Sequence, residues 1–128
     1  MYLDTDIILA LIKEEDWLKQ IVSRLNLKGA KTSTFTVIES RIVLEREYSR
    51  NDANEALKKI NNLKIEILSV DRKIIEKSQE LIDKYNRLGI FDSIHVACAV
   101  VYNESLISTD NAFDEIKEIK LINPRLID

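Results

Sequence analysis

Short apolar runs alternate along this chain with longer segments of helical periodicity, and no other feature narrows its fold as much. Met1–Leu3, Lys31–Phe35, the stretch around Ile65, Ile67, Leu68 and Val70, "SLIST" at Ser105–Thr109, and Lys120–Ile122 read as strands. Between them, apolar side chains recur at helical spacing. Trp17, Leu18, Ile21, Val22 and Leu25 predict a helix over 15–26, ended by Gly29. Residues 37–49 read as a second helix, and Ala53, Ala56, Leu57, Ile60 and Leu63 mark a third. Ile74, Ile75, Leu81, Ile82 and Tyr85 line a long helix stopped near Gly89. Residues 93–102 are apolar nearly all round, which predicts the most buried helix. A short helix is expected between "SLIST" and the last strand. Strands joined through helices need crossover connections, so the expected architecture is α/β, a mostly parallel sheet with helices on both faces. In such sheets functional groups gather at the carboxyl ends of the strands, the edge to which helix N-termini also point.

The length of 128 residues suits one domain spanning 1–128. Two Gly and one Pro leave no room for a long flexible linker. No apolar run approaches the roughly 18 residues of a membrane span, and no basic stretch precedes the first apolar residues as in a signal peptide. The single cysteine, Cys98, excludes an internal disulfide and a multi-cysteine zinc site. It reads as a small core residue in a reducing, cytoplasmic setting. A net charge of −3 does not mark a nucleic-acid binder, but its distribution is uneven. Residues 1–16 hold one Lys against five Asp/Glu, and residues 17–50 hold seven Lys/Arg against three Glu. A basic segment beside an acidic one suits a phosphate backbone held next to a metal site, but on charge alone ordinary solvated helix faces are the better reading.

The acids carry the chemistry. "MYLDTDIILALI" places Asp4 and Asp6 just after the first strand, and Asp110 directly follows "SLIST". Glu39 and Asp92 fall in the opening turns of "TVIESRIVL" and "FDSIHVACAVV". A parallel sheet would bring these groups to one edge although more than a hundred residues separate the first from the last. Like charges in one cleft raise each other's pKa values, and a divalent cation relieves that repulsion. Oxygen-only ligands with no His or Cys partner favour Mg²⁺ or Mn²⁺ over zinc, and metal-assisted phosphodiester hydrolysis is the chemistry that follows. Each acid also has a structural reading. "TVIE" forms a capping box between Thr36 and Glu39; Asp92, Asp110 and Asp6 each suit a helix N-terminus; only Asp4 lacks such an explanation while Asp6 serves as the cap. His95, three residues after Asp92, reads as a packed or hydrogen-bonded helix histidine rather than a metal ligand. Trp17 and Tyr85 suit base stacking, but their apolar stripes favour packing in a core or dimer. Arg41 and Arg46, which follow Glu39 on its helix, are candidates for RNA backbone contacts.

Four segments in order, "YLDTDIIL", "TFTVIESRIVL", "GIFDSIHVACAV" and "LISTDNAFDEI", resemble a PIN domain, and more narrowly the small VapC-like ribonucleases. The resemblance implies a three-layer α/β/α sandwich. It implies that Asp4, Glu39, Asp92 and Asp110 bind Mg²⁺ or Mn²⁺ and support endonucleolytic cleavage of RNA. Thr5 and Thr109 match hydroxyl positions beside the acids, and Asp114 matches a further acid of some members. Asp6 departs from the Asn or Ser common there, as an outer-sphere metal ligand or a helix cap. The resemblance also implies a toxin whose small antitoxin partner fills the active-site groove. It implies a homodimer too, for which Trp17, Leu18 and Tyr48 are candidate surface residues. Two rivals remain. A haloacid-dehalogenase-type phosphatase would use Asp4 as nucleophile and Asp6 as acid/base, yet "IILALI" supplies no hydroxyl after Asp6. A non-catalytic interaction module would keep the PIN fold without its chemistry.

Overall fold

A computed structural model describes residues 1–127. Five short strands form one sheet: β1 (Tyr2–Leu3), β2 (Lys31–Ser33), β3 (Glu66–Leu68), β4 (Leu106–Ile107) and β5 (Leu121–Ile122). Their order is β3-β2-β1-β4-β5, and every pairing is parallel. Six helices connect them: α1 (Thr5–Ile12), α2 (Lys19–Val22), α3 (Thr34–Glu47), α4 (Arg50–Lys58), α5 (Arg72–Lys84) and α6 (Ile90–Val101). Among the described residues no helix is long and apolar enough to cross a membrane.

Strand geometry explains the two cores. Successive strand side chains point to opposite faces. Tyr2 and Leu106 therefore enter one core with Ile74, Leu81 and the buried face of α6. Leu3 and Ile107, one residue on, enter the other with Ile7, Ile8 and Ile12 of α1, Leu44 of α3 and Ala53 of α4. Helices thus cover both faces, as the alternating sequence pattern predicts. α6 is buried continuously from Ser93 to Ala99, in line with its all-round apolar sequence.

Four local expectations are corrected. The helix expected over 15–26 shrinks to Lys19–Val22. Polar side chains offer its backbone other partners: Asp16 accepts from the Leu18 amide at 2.9 Å, Ser23 Oγ donates to the Gln20 carbonyl, and Asn26 accepts from the Lys28 amide. Gly29, at φ +75°, therefore shapes the turn into β2 rather than ending that helix. Trp17 is 66% exposed and outside the core, with the Arg125 guanidinium 5.3 Å from its ring centre, whereas Leu18 is buried and drops out as an interface residue. The strand read as Lys31–Phe35 stops at Ser33, whose Oγ accepts from the Thr36 amide and starts α3 three residues early.

The strand order sets the place of the site. From β1 the chain winds outward through β2 to β3, then crosses back to β4 on the other side of β1. Winding reverses between β1 and β4, and a crevice opens at the carboxyl ends of such a pair.

Candidate functional site

Asp4 leaves β1 at that crevice. Its amide donates to the Ile107 carbonyl, which extends the β1–β4 pairing. Its carboxylate then caps α1, accepting from the Thr5 amide at 2.8 Å through Oδ1 and from Ser108 Oγ at 2.7 Å through Oδ2. Asp4 is buried, and burial pushes its pKa up, opposed by His95 and Ser108. The cap expected of Asp6 thus belongs to Asp4. Asp6 instead reaches across to β4, where its Oδ2 accepts from the Thr109 amide and hydroxyl at 2.9 and 2.5 Å. Its Oδ1 is buried with no hydrogen-bond partner. Burial and the charge of Asp4 push Asp6 up to about 6.

Glu39 also differs from its expected part in a capping box. α3 begins at Thr34, so Glu39 stands in its second turn, and the Thr36 hydroxyl is buried against Thr32. The Glu39 carboxylate accepts from Thr5 Oγ1 at 2.7 Å and contacts Nε2 of His95. Burial raises its pKa, but His95 and Thr5 outweigh burial and hold it below the usual carboxylate value. Asp92 is the third residue of α6, whose N-cap is Gly89, so Asp92 is no cap. It is half-buried and pushed up to about 6 by burial and then by the charges of Asp4 and Asp110. Asp110 does take its structural role, accepting from the Ala112 amide at 2.9 Å to start a turn at Asn111–Phe113. Its own amide donates to Ser108 Oγ.

Asp92 therefore lies near enough to Asp4, Asp110 and Glu39 for their charges to act on it, and Asp4 feels Glu39. Asp114 is exposed at the end of the Asn111–Phe113 turn. Arg41 and Arg46 are exposed on α3, and Arg41 is engaged by Glu45 and Asn54. His95 is 1% exposed and hydrogen-bonded, as read from the sequence, and lies 3.6 Å from Asp4 Oδ1. Two partners of the site escape sequence reasoning. Ser108 gives a partial signal as a hydroxyl just before Thr109 and Asp110. Tyr2 gives none, because a strand tyrosine reads as apolar core.

All-oxygen donors, with Asp4, Asp6 and Asp92 raised by burial and by neighbouring acids, suit a hard divalent cation. Among the described residues, however, no three His, Cys, Asp or Glu side chains already enclose a position for one. The carboxylates turned toward Thr5, Ser108 and His95 would have to share their oxygens with it.

Residues 1–119 match the PIN domain family. No curated protein matches the sequence. Solved structures similar to it include a toxin–antitoxin complex from Klebsiella pneumoniae, at 22% identity and a TM-score of 0.70, covering 96% of each chain. VapBC2 from Rickettsia felis, bound to a DNA fragment from its promoter, is 19% identical with a TM-score of 0.77, covering 95% of this chain and 96% of that one. VapC20 from Mycobacterium tuberculosis, described as a Sarcin-Ricin loop cleaving toxin, is 17% identical with a TM-score of 0.77, covering 91% and 94%.

Proposed function

Because the chain belongs to the PIN domain family, we propose that it is a metal-dependent endoribonuclease and the toxin of a toxin–antitoxin pair. The observation that carries this reading is Asp92, raised by burial and by the charges of Asp4, Asp110 and Glu39 around it. Such a cluster is costly in a folded protein unless a cation shares it. The four acids would hold Mg²⁺ or Mn²⁺. When bound, the ion would polarise a phosphoryl oxygen and lower the pKa of a water ligand. Thr5 keeps Glu39 in place through its hydroxyl, and Thr109 does the same for Asp6, which would act outside the inner coordination sphere. Asp114 is a further candidate at the rim, and Arg41 and Arg46 would meet the phosphate backbone of RNA.

The similar structure solved as a toxin–antitoxin complex supports a partner of that kind for this chain. The reading includes a homodimer, for which exposed Trp17 and Tyr48 remain surface candidates. The reading places the protein in the cytoplasm, and burial of Cys98, which pushes its thiol up to about 11, fits a core residue rather than a nucleophile.

The test is cleavage of a mixed RNA substrate by the purified protein with Mn²⁺, Mg²⁺ or EDTA, beside Asp92→Asn. Cleavage that needs the metal and falls at least a hundredfold in the variant is the expected result. A folded wild type that cleaves no RNA with either metal would support the non-catalytic module instead.

A further inference from the structure

The acidic cluster contains one buried group that the proposed chemistry leaves unused. His95 is the only histidine in the chain. Its ring lies between two layers of the site and is held from both ends. Nδ1 is 2.7 Å from the Tyr2 hydroxyl, and Nε2 faces Glu39 Oε1, with Thr5 Oγ1 at 3.3 Å and Asp4 Oδ1 at 3.6 Å. Tyr2 is itself fully buried, and its hydroxyl is 2.8 Å from Ser33 Oγ. The Phe35 ring packs 5.5 Å from the imidazole, centre to centre, and restricts its tilt.

One direction follows from these contacts. A carboxylate only accepts, so Nε2 carries a proton to satisfy Glu39 whether the ring is neutral or charged. The Tyr2 hydroxyl, able to donate or to accept, holds Nδ1 in either state. We propose that Tyr2 and His95 form a positioning device for the metal site, in which the Tyr2 hydroxyl anchors the His95 ring and its Nε2–H holds Glu39 Oε1, leaving Oε2 to the cation. The proposal rests on the nuclease reading for the identity of the cation. Its geometric half, the Nε2–H held against Glu39, concerns the protein alone. Outer groups of this kind typically change metal affinity ten- to hundredfold when removed.

Two measurements test it. With one imidazole in the chain, a long-range ¹H–¹⁵N correlation spectrum of the metal-free protein reports the protonation of each ring nitrogen directly. A protonated Nε2 in the wild type is expected. A bare Nε2 in the wild type overturns the proposal. Calorimetry then gives the Mn²⁺ affinity of the wild type, Tyr2→Phe, His95→Leu, Glu39→Gln and the double variant Tyr2→Phe/Glu39→Gln, each checked for folding by circular dichroism. His95→Leu should bind about ten- to hundredfold more weakly, and Tyr2→Phe severalfold more weakly. Should His95→Leu not fold, the nearly isosteric Tyr2→Phe carries the test. The loss on Tyr2→Phe should vanish in the Glu39→Gln background, since Tyr2 acts through Glu39; a purely structural effect would persist there. Unchanged affinity in folded Tyr2→Phe, with a wild type that binds Mn²⁺ and cleaves RNA, overturns the positioning role alone. A wild type that binds no Mn²⁺ overturns this proposal together with the nuclease reading.

Discussion

Asp6 and Asp92 are each pushed up to about 6 from an ordinary aspartate value of 3.8. Between roughly pH 4 and 6 they keep protons in the folded chain that the unfolded chain has released. Folding is then linked to proton uptake, so stability falls as pH rises through that window. His95 acts in the same direction, being held above its ordinary 6.5: burial opposes the charge, but Glu39 and Asp4 favour it more. Its stabilising share is complete below pH 6.5 and is lost as pH rises through the folded value. Glu39, held low, loses its share only below about pH 4.5 and does not offset this trend. The metal-free protein is therefore expected to melt about 5 °C lower at pH 8 than at pH 5, after discounting for the solvent that reaches Asp92. Mg²⁺ should raise the melting temperature more at pH 8 than at pH 5. Calorimetry across that range checks both statements, and a metal-free protein more stable at pH 8 would contradict them. The residue types of this cluster are legible in the sequence, but their partners are not. Tyr2 and His95 are 93 residues apart, and only strand pairing and helix packing bring the hydroxyl to the ring.

Among the elements, the link between α1 and the end of β4 is the one on which the site most depends. Asp6 receives two hydrogen bonds from Thr109, the residue before Asp110, and so fixes the loop that carries Asp110. Thr109→Val keeps the shape and the backbone donor but removes the hydroxyl donor. It should lower unfolding free energy in urea by about 1.5–3 kcal/mol, as expected for a hydrogen bond to a charged group. No change in the urea midpoint would show that the loop is held by other means. The same region shows why caps are harder to read than elements. "DTD" offers two capping residues, and local sequence prefers the second. The Asp4 amide, by pairing with Ile107, ends the strand at Leu3 and gives the cap to the first. Likewise "STFTVIE" contains two candidate starts for α3, and pairing of Ser33 with Leu68 places the strand end, and hence the cap, at Ser33. A partner strand distant in sequence makes the decision in both cases, and local pattern cannot contain it.

For the molecule as a whole, alternation of strand and helix suffices to specify a parallel sheet with two covered faces, because that topology follows from connection lengths and apolar spacing. Outward-facing surface is less legible, since an apolar residue at helical spacing carries the same signal in a core and at an interface. Trp17 and Leu18 are adjacent, yet one is 66% exposed and the other 1%. Trp17 is also the only tryptophan, so it reports on its own surroundings. If the proposed homodimer uses this surface, its emission should shift to shorter wavelength as concentration rises through the association range. Constant emission across a range in which sedimentation detects dimer would assign the interface elsewhere.

The strand order has a further consequence during synthesis. Asp4 and Glu39 belong to the first third of the chain, whereas Asp92 and Asp110 belong to the last third. Central β1 can pair with β4 only when residues beyond 105 have left the ribosome. A nascent chain therefore holds half of these acids and none of the crevice until that segment has emerged. The proposed nuclease, surrounded by the RNA that encodes it, would become active only once that segment is free to fold.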